Sequence, residues 1–400
     1  MKKVIRIKLI AALKKEFTVI PIAIFTLYMF SYGAMAIYST YLNLYLNGIG
    51  FSQPQIGMAI SISTFFALMA QMAWGILSDR AKRKNTIVHV IFAGCLVAAL
   101  LYYVSQNFVF VMGVLTLYVF FSTGLPPCLD NIVLESSEGK AWNYGQIRMG
   151  GTIGYCIVVL LIGFVIHEEY ARIFFMTAIA LLVCFLLSFK LPVVPGHRSG
   201  KHKSSFRILL KNRPLMIMIA YNLSFALGMS FFYSFYPIYF SSIGGTSVQI
   251  GVMMFFCAVI EIPCLFLANR VVKRFGVERV LIVSGLVAAL RWLLLSFLQN
   301  PTLIIAANTL HGIGYTGFSY CIVVYINETV PPDLKATAQS FNVLIGSVFA
   351  RLIFGYIGGL ASEAFGANNI LLVACAVLLV STVLFSTWAY RHKNWRNKEA

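Results

Sequence analysis

The chain is 400 residues long, 60% of them hydrophobic and only 11% charged. Soluble domains carry about 25% charged residues, so a water-soluble fold could not hide this much apolar side chain, and most of it has lipid for a solvent. The net charge of +18 would suit a nucleic acid, but the basic residues stand in short clusters between apolar runs; that is the pattern of the positive-inside rule and argues against such a partner.

A spanning helix takes about 20 residues, which leaves room for about twelve with short loops. The apolar runs predict a first set of spans over 18–46, 54–77, 86–104, 108–134, 145–166 and 171–189. A second set follows over 214–241, 247–269, 279–298, 301–327, 338–362 and 368–390. Polar or turn-forming breaks part them, among them Asn47 to Gly50 with Pro54, Ser105 to Asn107, and Gln299 to Pro301.

One side of this layout collects Lys2, Lys3, Arg6, Lys8, Lys14 and Lys15, the cluster Arg80, Lys82, Arg83 and Lys84, then Lys140, Arg270, Lys273, Arg274, Arg279, Lys335 and the tail. Arg172 stands alone on the other side. The asymmetry predicts an even number of spans and both termini in the cytoplasm. Between the halves, Lys190, Arg198, Lys201, Lys203, Arg207, Lys211 and Arg213 mark a linker over 191–212, which leaves a half over 1–190 and a half over 213–400. The expected protein is a monomer in the cell membrane.

Eight cysteines lie inside apolar runs and none makes a Cys-x-x-Cys pair. They read as small buried hydrophobes, and no metal site is expected. The N-terminus shows no cleavage site of a removable signal peptide. A phosphate-binding glycine loop, metal-ligand spacing and a nucleophile motif are all absent from the sequence, so enzymatic chemistry has no support and no cofactor is expected.

The halves repeat. Tyr45, Ile49-Gly50 and Gln55-Ile56-Gly57 recur as Tyr239, Ile243-Gly244 and Gln249-Ile250-Gly251 at a constant offset of 194 residues, and the same offset lays Asp79-Arg80 onto Lys273-Arg274. Parallel repeats of six helices are a transporter plan in which the solute site lies between the halves near the midplane.

The loop from Gly75 to Lys84 reads GILSDRAKRK. It resembles the signature loop of the major facilitator superfamily, departing from it at Ala81-Lys82, where a glycine is common. The resemblance implies an all-α membrane fold of twelve helices in two pseudo-symmetric six-helix bundles. It also implies a latch on the cytoplasmic side in which Gly75, Asp79 and Arg80 take part. An ordinary basic loop obeying topology would look similar. Pro127-x-x-Asp130, the stretch YGQIRMGGTIGY from Tyr144 to Tyr155, Glu261-Ile262-Pro263, Arg291-Trp292 and His311-Gly312 resemble the oligosaccharide and phenylpropionate permease branches, which include lactose permease.

A charge at the bilayer centre costs about 2.5–3.5 kcal/mol on insertion scales, so each one points to a solute or proton path. The intramembrane candidates are Asp130, Arg148, Glu261, Arg291, His311 and Arg351. Asp130 and Arg148 are 18 residues apart, as in the sugar permeases, where such a pair contacts substrate; Tyr155, seven residues on, takes the place of an aromatic platform. A guanidinium suits hydroxyls or a carboxylate, and Asp130 is expected to neutralise it. A salt bridge that only joins two helices is the plain alternative. Glu261, Arg291 and His311 resemble the residues that couple substrate to protons in the lactose-permease branch. A desolvated carboxylate holds its proton and an approaching arginine expels it; His311 would orient the acid, carry the proton or bond substrate. The branch has a second Glu where this chain has Gly314. The partner of Arg351 is not specified by sequence.

The expected activity is therefore proton-coupled symport, importing a sugar, nucleoside or aromatic acid by alternating access. A proton-coupled efflux antiporter, an uncoupled facilitator and a non-transporting sensor on the same scaffold are the rivals. Many antiporters of the fold carry a Gly-Pro in the fifth span, which here has no proline.

Overall fold

A computed structural model describes residues 21–140, 142–167, 169–195, 206–331 and 334–399. The basic residues Lys2, Lys3, Arg6, Lys8, Lys14, Lys15, Arg198, Lys201 and Lys203 lie outside the described residues. The helices of the first half are α1 (Ile22–Gly48), α2 (Gln53–Arg80), α3 (Lys84–Leu101), α4 (Phe108–Ser122), α5 (Leu125–Ser137), α6 (Tyr144–Ile166) and α7 (Arg172–Ser188). They are followed by α8 (Phe206–Lys211), α9 (Arg213–Ser242), α10 (Ser247–Phe275), α11 (Val277–Phe297), α12 (Pro301–Asn308), α13 (His311–Thr329), α14 (Lys335–Val343), a π-helical stretch (Leu344–Phe349), α15 (Ala350–Phe365) and α16 (Ala367–Glu399). Lipid offers the backbone no hydrogen bonds, so the chain satisfies them within helices.

Ten helical segments among the described residues are long and apolar enough to cross a membrane. The expected sixth span is the shorter α7, and the expected tenth is divided into α12 and α13. Two expected spans, the fourth and the tenth, are interrupted. Between α4 and α5 the cause is Pro126 and Pro127 in the first turn of α5, which cannot donate to a continuous ladder. Between α12 and α13 the Asn308 amide donates to Ile304 O (2.9 Å) and the Thr309 hydroxyl to Ala306 O (2.7 Å), so side chains compete for the carbonyls.

The sequence repeat has a local physical cause. Gly50 and Gly244 have φ of +91° and +90°, a left-handed turn that favours glycine. Each is followed by a reciprocal cap. Ser52 N donates to Gln55 Oε1 (2.9 Å) and Gln55 N to Ser52 Oγ (3.4 Å). Thr246 N donates to Gln249 Oε1 (3.0 Å) and Gln249 N to Thr246 Oγ1 (3.2 Å). The repeated Gly and Gln end one helix and start the next in both halves.

Contacts divide the chain into two compact units. The first is Met1–Ser39, Phe66–Val159 and Ala171–Gly200; the second is Thr40–Phe65, Leu160–Tyr170 and Lys201–Ala400. In the first unit α3 packs against α4, α5 and α7. Its aromatic core includes Tyr38 stacked on Tyr118 (centroids 3.8 Å apart) and Tyr102 on Phe174 (3.9 Å). In the second, α11 packs on α13 and α16, α9 on α15 and α16, and α10 on α13.

The second unit includes one end of α1, α2 and α6, the end opposite the basic clusters. Small residues bring these ends against the second-half helices. A Cβ on Gly57 would collide with the Gly355 carbonyl, one on Gly359 with the Gln53 carbonyl, and one on Gly163 would stand 2.7 Å from Ser247 O. Hydrogen bonds accompany each approach. Ser61 Oγ donates to Leu352 O (2.7 Å) and accepts from Tyr356 N (2.9 Å). Tyr41 donates to Ser247 O (2.9 Å) and Asn43 to Ser234 O (2.8 Å). Gly57→Val is expected to push α2 from α15 and destabilise the protein by about 1–3 kcal/mol. A melting temperature in detergent equal to that of the parent would contradict this close approach.

Candidate functional site

The first cluster joins α1, α5 and α6. Tyr28 and Tyr32 are one turn apart on α1 and stack (6.2 Å, 19°). The Tyr28 hydroxyl, fully buried, donates to Asp130 Oδ1 at 2.7 Å. Tyr144 also approaches Asp130. The Arg148 guanidinium lies over the Tyr32 ring, 4.1 Å from its centroid, a cation–π contact. Three glycines of α6 permit this. A Cβ on Gly154 would collide with the Met29 carbonyl, and one on Gly151 would stand 2.6 Å from the Tyr32 ring and 3.1 Å from Arg148 Nη1. On Gly150 it would stand 2.9 Å from Phe25. Asp130, Arg148 and Tyr155 are each half-buried.

The expected direct neutralisation of Arg148 by Asp130 is not formed. The acid takes its hydrogen bond from Tyr28 while the guanidinium stacks on Tyr32, so the two charges are joined through the stacked tyrosines. Both therefore keep hydrogen-bonding capacity, as acceptor and as planar donor, on a half-buried aromatic surface.

The second cluster joins α9, α10, α11, α12 and α13. His311 is 1% exposed, and its Nε2 stands 3.2 Å from Glu261 Oε1 and 3.4 Å from the Tyr233 hydroxyl. Its ring stacks on Tyr315 (5.2 Å, 15°). The Glu261 side chain is 26% exposed. Arg291, 1% exposed, is held otherwise than expected. Its Nε and Nη2 donate to Asn308 Oδ1 at 3.1 and 2.7 Å, and its guanidinium lies 4.1 Å from the Phe232 centroid. Among the described residues it forms no ion pair, with Glu261 or any other acid. At Gly314, where the resembling branch has its second acid, a Cβ would stand 3.1 Å from Ala288 Cβ, tighter than ordinary packing.

Gly75, Asp79 and Arg80 lie at the end of α2, where a Cβ on Gly75 would meet nothing within 4 Å. Asp79 makes no hydrogen bond or ion pair among the described residues. The ion pair of this region is instead between the buried Lys84 and Glu135, at the start of α3 and the end of α5. Beside it the Asn85 amide donates to Pro192 O (3.0 Å), and Lys84 N donates to Val194 O (2.9 Å). Arg351 is exposed at the start of α15, directly after the π-helical stretch. No group of His, Cys, Asp and Glu among the described residues could hold a metal ion.

Sequence reasoning missed Tyr28, Tyr32, Phe232, Tyr233 and Tyr315. The spacing of Tyr28 and Tyr32 within an apolar run was the available signal, but tyrosines are also common in lipid-facing positions. Asn308 carries no distinguishing signal in the sequence, although its Oδ1 accepts from both Nε and Nη2 of Arg291, while Nη1 faces Met229 Sδ (3.7 Å).

A family model, the MFS_1 like family, matches residues 22–373. The chain belongs to this family, within the major facilitator superfamily. This MFS_1-like protein is 25% identical over 377 residues to a maltose permease of Geobacillus stearothermophilus, covering 92% of this chain and 93% of that one. It is 23% identical over 393 residues to a raffinose permease of Escherichia coli (90% and 91% covered). The crystal structure of nucleoside transporter NupG superposes with a TM-score of 0.82 at 15% identity, covering 92% of this chain and 98% of that one, and shows the shared fold. The MFS_1-like protein is a multi-pass membrane transporter of small solutes and not an enzyme.

Asn308→Ala leaves Nε and Nη2 of a buried guanidinium without their acceptor and is expected to destabilise the protein by about 2–3 kcal/mol. Asn308→Asp, which restores an acceptor, should retain more of the folded yield in detergent. Equal yields and melting temperatures for the parent and Asn308→Ala would contradict the anchoring role.

Proposed function

We propose that this transporter is a proton-coupled symporter of the cell membrane, with both termini in the cytoplasm, importing a sugar or similar polyhydroxylated solute. The observation that carries the proton step is the contact of Glu261 with His311 (3.2 Å) on membrane helices α10 and α13. A carboxyl group partly withdrawn from water exchanges one proton at modest cost when a neighbouring imidazole can hold or release the hydrogen bond. Arg291 supplies fixed positive charge nearby while bonded to neutral Asn308, so Glu261 is left to alternate between the protonated acid and the anion.

The solute reading rests on the first cluster. Asp130 accepts hydrogen bonds from hydroxyls, and Arg148, resting over the Tyr32 ring, presents a planar set of donors. The names of the maltose and raffinose permease relatives support a sugar. Passage by alternating access requires that the contacts of Gly57 with Gly355, and of Ser61 with Leu352, part and reform in each cycle.

Proteoliposomes containing the protein are expected to alkalinise the outer solution when the transported solute is added. Maltose, uridine and 3-phenylpropionate sample the three solute classes. Glu261→Gln should abolish the alkalinisation. Solute entry with no proton movement, and with identical behaviour of the variant, would refute symport and leave Glu261 as a structural partner of His311.

A further inference from the structure

Helix α10 is 29 residues long, about 43 Å, whereas the hydrocarbon core is about 30 Å thick. Its last turns therefore stand at headgroup depth. Phe266, Asn269, Arg270, Lys273 and Arg274 occupy one face there, at the i, i+3, i+4, i+7 and i+8 spacing. They line an open groove of about 500 Å³. Phe266 is 83% exposed, and the four polar residues are exposed too.

The face is layered. Phe266 lies deepest, and the three cations follow, the last of them about 12 Å of helix rise beyond it. Among the described residues none of the three cations forms an ion pair. Glu278, at the start of α11, is the nearest acid in sequence and is not paired with them. Arg274 lies over the Phe275 ring (5.3 Å), which keeps its guanidinium at the interface. At the same offset of 194 residues the first half differs at two of the three cation positions, with Ile76 for Arg270 and Asp79 for Lys273. An acid at the place of Lys273 would repel an anionic group, and the second half has a cation there instead.

We propose that this face of α10 binds an anionic glycerophospholipid, its phosphate held by Arg270, Lys273 and Arg274 and an acyl chain lying against Phe266. Clustered cations at the membrane surface attract acidic headgroups, and the exposed phenylalanine selects a lipid over a soluble phosphate. The site lies outside the solute and proton clusters.

The test uses the full-length protein in detergent, read by native mass spectrometry and thermal melting with added phosphatidylglycerol, phosphatidylcholine or inorganic phosphate. Phosphatidylglycerol should bind and raise the melting temperature, while phosphatidylcholine and phosphate should not. The triple variant R270Q/K273Q/R274Q should lose affinity by roughly fivefold per cation removed. Lys273→Asp, which copies the first half, should also weaken binding. The control K82Q/R83Q, on exposed cations of the first-half loop, should leave it unchanged. Equal stabilisation by phosphatidylcholine, an equal shift with phosphate alone, undiminished binding to Lys273→Asp, or equal loss in the control would each overturn the assignment.

Discussion

Arg291 sets the terms for the second half of the protein. A guanidinium 1% exposed inside an apolar bundle must be met by a neighbour, and here the neighbour is the Asn308 side chain with the face of Phe232. Three helices are tied by that requirement, because Arg291 sits on α11, Asn308 ends α12 and Phe232 belongs to α9. Trp292 beside it is fully buried, and at Gly228 any side chain would collide with its ring. A neutral acceptor, in place of a carboxylate, keeps a fixed positive charge in this core. In the proposed mechanism that is its use: the charge biases the protonation of Glu261, which among the described residues is held by His311 and remains partly exposed.

The two clusters share a design. In each, an acid is held by a hydrogen-bonding partner other than the arginine, and the arginine rests on an aromatic face: Asp130 with Tyr28 and Arg148 on Tyr32, Glu261 with His311 and Arg291 on Phe232. Direct ion pairing would stabilise the resting protein but would leave less for a solute or proton to gain. Burial separates the roles. In the proposed mechanism the half-buried Arg148 meets the solute, whereas the enclosed Arg291 acts on its surroundings by charge.

Much of this was legible in the sequence, for physical reasons. Lipid requires long apolar helices, so composition gave the class of fold, and the strings ending at Gly57 and Gly251 marked the repeat because both halves need the same left-handed glycine and the same Gln cap. Candidate charges stood out because charge is rare in such a chain. Partner choice was not legible. It depends on which neutral group lies nearest in three dimensions, and Asn308 and Tyr28 are ordinary residues until helix packing places them. The interrupted spans at Pro126 and Asn308 were missed because hydropathy is continuous across them.

The central claim is that solute binding and proton coupling reside in separate clusters, and equilibrium exchange of labelled solute across proteoliposomes tests it most directly, since exchange needs solute binding and reorientation but no net proton transfer. With the solute that elicits proton movement, Glu261→Gln should retain exchange while losing accumulation driven by a proton gradient, and Asp130→Asn should lose both. Loss of exchange in Glu261→Gln together with full exchange in Asp130→Asn would contradict the account.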